Sequence, residues 1–154
     1  MYSLAIYFMM LGCNVAALFS KKIRTMMRGH RDTWRILRRH IGSDRYVWFH
    51  AASLGEFEQG RPLMERLRRE HPEKKILLTF FSPSGYEVRK NYAGADVVCY
   101  LPFDTPFNAL KFVRMARPEE AYFIKYEFWR NYIEVLHRNG IPVYSVSSIF
   151  RSGQ

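Results

Sequence analysis

From Tyr46 onward, short apolar runs alternate with amphipathic stretches at a spacing of about 25 residues, and this alternation constrains the fold more than any other feature of the chain. The runs at 46–51 (YVWFHA), 75–80 (KILLTF), 96–101 (DVVCYL), 120–125 (EAYFIK) and 141–147 (IPVYSVS) are short and rich in β-branched and aromatic residues, which predicts strands. Helices are predicted between them over 56–70, 84–92, 106–116 and 128–139; in the first, Leu63, Met64 and Leu67 form the apolar stripe. Ser82-Pro83 and Thr105-Pro106 read as an N-cap followed by a first-turn proline, and Asn139-Gly140 closes the last helix. Strand and helix in alternation require a parallel sheet with helices on both faces, so residues 46–154 are expected to form a Rossmann-like α/β domain. The chain stops at Gln154, just after the fifth predicted strand and before any closing helix, so a second domain is expected to follow.

The N-terminal segment has a different character. Residues 1–20 carry no charged side chain and are about as long as a helix that crosses a hydrocarbon core, so residues 1–22 are expected to form a membrane-anchoring helix. A helix lying in the membrane interface is the alternative, in keeping with Gly12, Asn14 and the modest length. Much of the net charge of +10 lies just beyond, in a basic juxtamembrane segment over 23–45. Positive charge after the apolar run, rather than before it, argues against a secretory signal and keeps the rest of the chain on the cytoplasmic face. The basic block fits an anionic membrane surface as partner; a nucleic-acid reading would rest on that block alone. Cys13 and Cys99 fall in a predicted helix and a predicted strand and make neither a disulfide nor a metal site.

In a parallel α/β sheet, ligands bind beyond the carboxyl ends of the strands. The first strand delivers Ser53, Gly55 and Glu56 there, and the second delivers Thr79, Ser82, Ser84 and Gly85. Asp104 and Thr105 follow the third strand, Lys125, Tyr126, Glu127 and Trp129 the fourth, and Ser147, Ser148 and Arg151 the fifth. Hydroxyls and carboxylates on one edge suit a polyhydroxylated ligand. Gly55 would let backbone approach such a ligand, and Glu56 at a helix N-terminus would stay ionised and able to accept a proton. The spacing Ser53 to Glu56 equally fits a capping box, in which the glutamate only satisfies a backbone N–H. Ser84 and Glu87 repeat that spacing and read as capping alone, while His50 and Trp129 read as structural. Dinucleotide, P-loop, zinc-ribbon and metalloprotease motifs are all missing from the sequence, so no cofactor and no metal is expected.

The blocks HAASLGE, TFFSPSGYE, YLPFDTP and YEFWRN, following the first four predicted strands in order, make the chain resemble the N-terminal half of a Kdo transferase, the 3-deoxy-D-manno-octulosonic acid transferase of lipopolysaccharide assembly. The resemblance implies a two-domain GT-B glycosyltransferase with an inverting, metal-independent transfer. The half present would bind the lipid A precursor, and CMP-Kdo would bind a C-terminal domain, so this chain alone would be inactive. It further implies a place on the cytoplasmic face of the inner membrane and, at Glu56, the general base. Two departures stand out in the fourth block, where the family pattern Glu-x-Glu-x-Trp-Pro-Asn has Lys125 for its first glutamate and Arg130 for its proline. The competing readings are another GT-B transferase acting on a lipid-linked acceptor and a non-catalytic membrane-surface module.

Overall fold

A computed structural model describes residues 1–125 and 127–147. The five apolar runs become the strands β1 (Tyr46–Ala51), β2 (Lys75–Phe80), β3 (Val97–Tyr100), β4 (Pro118–Ile124) and β5 (Val143–Val146). All neighbouring strands are parallel, in the order β3-β2-β1-β4-β5. Between them run α3 (Leu54–Glu70), α4 (Pro83–Arg89), α5 (Pro106–Ala116) and α6 (Arg130–Arg138), preceded by α1 (Tyr2–Phe19) and α2 (Lys21–His40). The predicted α/β architecture is present. Its element boundaries differ by a few residues, and β4 begins early because Arg117, in the left-handed region at φ 49°, turns the chain from α5 straight into the strand. Tyr126, Ser148 and Arg151, all expected at the strand ends, lie outside the described residues.

The pleat divides the core in two. Trp48, Leu77, Cys99 and Phe123 pack against α5, α6 and the end of α2 through Phe112, Tyr132, Leu136 and Leu37. Val47, Phe49, Leu78 and Phe80 pack on the opposite face against Phe57 and Met64 of α3. Both faces are covered, so β1 is buried along its whole length and reads as an unbroken apolar run rather than an alternating one.

The basic segment expected over 23–45 as a juxtamembrane stretch is helical as far as His40 and packs on the domain. Met27, His30, Thr33 and Leu37 of α2 are buried at helical spacing, and the Thr33 hydroxyl donates to the Tyr100 carbonyl at 2.7 Å, covering the edge of β3. A side chain at Gly29 would overlap the ring of Tyr100, so glycine lets the helix approach that closely. α1 folds back along α2 from the turn at Ser20; Ile6 packs on Met27 and Phe103, and the Tyr2 hydroxyl donates to Asp104 at 2.7 Å. α1 is long and apolar enough to cross a membrane, with a mean hydropathy of 1.7, and Leu4, Phe8, Leu11, Val15 and Leu18 on it are exposed.

Candidate active site

The strand order reverses direction between β1 and β4, which are paired neighbours, and a crevice opens beyond the carboxyl ends of strands at such a point. The side chains delivered there are His50 from β1, Glu56 from the first turn of α3, and Glu127 and Trp129 from the segment after β4. The first two are more than 70 residues from the last two in sequence; the β1–β4 pairing brings them together.

Glu56 sits in the first turn of α3, and its Oε2 accepts from the backbone N–H of Ala52 at 2.6 Å and of Ser53 at 3.1 Å. Both bonds end on one oxygen, and the other takes neither. Burial raises the Glu56 pKa, the nearby Glu127 charge raises it further, and the two backbone N–H groups and His50 oppose the rise. The carboxylate therefore serves as a cap while being held more basic than an ordinary glutamate.

His50 is fully buried and tied on both ring nitrogens. The Trp129 indole N–H can only donate; it lies 3.0 Å from His50 Nε2 and 2.8 Å from Glu127 Oε2, and is shared between them. Nε2 therefore accepts, which places the His50 proton on Nδ1, directed at Thr79 Oγ1 2.9 Å away. Thr79 also accepts from Trp48 Nε1 at 2.8 Å and passes its own proton to the Phe49 carbonyl at 3.3 Å. The result is a continuous chain from the core tryptophan to Glu127, whose Oε2 is 3.8 Å from His50 Nε2. Sequence reasoning missed this role of His50 and Trp129, because the link depends on which strands are neighbours.

The structure separates the other candidates. Ser53, Gly55, Ser82 and Ser84 lie at the rim, none of them buried, and the hydroxyls of Ser82 and Ser84 are 2.7 Å apart. A side chain at Gly55 would meet nothing within 4 Å, so packing does not demand a glycine there. Three residues expected to bind substrate are interior instead. Thr79 is buried and spends its hydroxyl in the chain just described. Gly85 is buried because a side chain would overlap Phe80 and press on the Ser53 backbone at 3.1 Å. Asp104 is buried with both oxygens engaged: Oδ2 accepts from Tyr2 and from the Asn131 N–H at 3.1 Å, and Oδ1 accepts from the Tyr132 N–H at 3.1 Å. It thus caps α6, whose own N-cap residue Trp129 supplies no side-chain bond. The expected capping pair at Ser84 and Glu87 is not formed either; α4 starts a residue earlier, at Pro83, and Glu87 pairs with Lys90 at 2.9 Å. Among the described residues, no three His, Cys, Asp or Glu side chains gather as a metal site.

Residues 23–154 match the family described as 3-deoxy-D-manno-octulosonic-acid transferase (kdotransferase). The chain is 38% identical over 88 residues to the 3-deoxy-D-manno-octulosonic acid transferase of Aquifex aeolicus, covering 56% of this chain and 24% of that protein. It is 33% identical over 97 residues to the enzyme of the same name from Haemophilus influenzae, covering 62% of this chain and 23% of that protein. The chain thus spans about a quarter of the length of these relatives. With a family match running from within α2 past β5, and an α/β sheet placing HAASLGE at its switch point, the chain belongs to the 3-deoxy-D-manno-octulosonic-acid transferase family.

Proposed function

We propose that this chain is the acceptor-binding, base-carrying part of an inverting glycosyltransferase that moves Kdo from CMP-Kdo to a lipid A precursor, on the cytoplasmic face of the inner membrane. The observation that carries the reading is Glu56 itself: a half-buried carboxylate at a helix N-terminus, at the sheet's switch point, made more basic by burial and by Glu127. In the reaction, an acceptor hydroxyl attacks the anomeric carbon of Kdo from the face opposite the cytidylate. The new C–O bond forms as the bond to CMP breaks, and the hydroxyl proton passes to Glu56. A positioned base of this kind contributes about 10²–10⁴-fold. The rim residues Ser53, Gly55, Ser82 and Ser84 line the acceptor side, and Glu127, held by the Trp129 indole N–H, orients the acceptor's hydroxyls.

Membrane attachment is part of the same reading. α1 lies along the domain with an apolar outer face, the arrangement of a helix seated in the bilayer interface beside a basic α2.

The test uses the complete enzyme with CMP-Kdo and a lipid A precursor. Glu56→Gln keeps an oxygen for the Ala52 and Ser53 N–H groups but cannot take a proton, so turnover is expected to fall by about 10²–10⁴-fold with the fold intact. Retention of most of the turnover would reduce Glu56 to a helix cap and remove the base. Activity with UDP-sugars in place of CMP-Kdo would point to a different donor on the same scaffold.

A further inference from the structure

Two cavities of about 340 and 330 Å³ lie side by side between α1 and α2, sharing Asn14, Met27 and Arg31. Either volume is within the ~300–1,000 Å³ of small-ligand sites. The first is walled by Met10, Met27, Trp34 and Phe103, with His30 among its lining residues. His30 is only 4% exposed; its ring is packed against those of Phe81, Tyr100 and Phe103, with the Phe81 and Leu101 carbonyls beside it. Burial pushes its pKa down to about 4, so the ring is neutral and adds to the apolar wall of the chamber. The second cavity is basic, lined by Arg24, Arg28 and Arg31. Arg24 closes its end by donating to the Ala17 and Leu18 carbonyls at the end of α1, and Arg31 reaches Asn14 at 3.3 Å.

An apolar chamber beside arginines and beside an exposed apolar helix suits an anionic head group carried on an apolar chain. We propose that the groove between α1 and α2 binds one anionic phospholipid, with its phosphate on Arg28 and Arg31 and the start of an acyl chain in the adjoining chamber. Inorganic phosphate would satisfy the arginines and leave the chamber empty, which is why the occupant is a lipid. The proposal rests on the membrane reading above and adds a discrete site to it.

The experiment compares two double variants that remove equal charge from α2, Arg28→Gln with Arg31→Gln inside the groove and Arg38→Gln with Arg39→Gln outside it. Each is titrated with phosphatidylcholine vesicles doped with phosphatidylglycerol. Loss of direct charge-assisted contacts is expected to weaken the groove variant by about tenfold or more, and the distal variant by much less. Equal weakening would overturn the groove and leave general surface attraction standing. No binding by the unaltered chain would overturn the membrane reading as well. Independently, soluble short-chain phosphatidylglycerol is expected to shift the NMR signals of the His30 ring and the Trp34 indole, while inorganic phosphate leaves them in place. No shift with the lipid, or an equal shift with phosphate alone, would overturn the proposal.

Discussion

The raised pKa of Glu56 has consequences of opposite sign for catalysis and for stability. A base must be ionised, so the acid limb of the pH–rate profile should follow Glu56 and lie above the ordinary glutamate range. Glu127→Gln removes a neighbouring negative charge, which should move that limb to lower pH in the complete enzyme; an unmoved limb would mean that Glu127 does not act on Glu56. For stability the sign runs the other way. A carboxyl whose folded-state pKa lies above its unfolded value favours folding below the unfolded value, and that contribution fades as pH rises through the folded one. At neutral pH the ionised Glu56 is therefore held against its preference, and Glu56→Gln should melt no lower than the unaltered protein while turnover collapses. A marked fall in melting temperature would show that the cap to Ala52 and Ser53 outweighs the burial of charge. The cap made by Glu56 was legible in the sequence, because it needs only its own turn. The partnership of Glu56 with Glu127 was not legible, since no local pattern states that β4 lies beside β1.

Asp104 and α2 show what decides legibility at the scale of elements. A carboxylate just past a strand looks the same in sequence whether it meets a ligand or the N-terminus of another helix, and here α6 takes Asp104. Asp104→Ala should therefore cost about 3 kcal/mol in urea unfolding, through two unpaired N–H groups of α6 and the lost Tyr2 bond. A variant of normal stability with a raised KM for the acceptor would return Asp104 to the binding site. Gly85→Ala tests the neighbouring assignment. It drives a methyl group into Phe80 and the Ser53 backbone, and overpacking of this kind costs about 1–3 kcal/mol. The inner strands β1 and β2 were readable because burial on both faces leaves unbroken apolar runs, and β4 and β5 through their β-branched and aromatic residues. α2 was not, because its buried stripe of Met27, His30, Thr33 and Leu37 is half polar and set among arginines, so charge hid the helical period. That hidden stripe is what turns a basic segment into one wall of the domain.

At the scale of the whole molecule, the proposed membrane attachment of a chain with net charge +10 and an exposed apolar helix would have two separable parts. Attraction of the arginines to anionic headgroups is screened over a Debye length of about 8 Å at physiological salt, and fades further as salt is added. Transfer of apolar surface out of water, about 25 cal/mol per Å², is not screened. The inner face of α1 is occupied by packing on Met27 and Phe103, so only its outer face is available to lipid, and that face can be altered without touching the core. Leu11 and Val15 are 61% and 52% exposed, and Leu11→Glu with Val15→Glu should leave the fold in place. The unaltered chain is expected to remain on phosphatidylglycerol-containing vesicles through a wash at high salt, whereas the double variant binds at low salt only and is released by the wash. Release of both alike would make the attachment purely electrostatic. Retention of both alike would take the outer face of α1 out of the contact and leave its exposed apolar residues without a function.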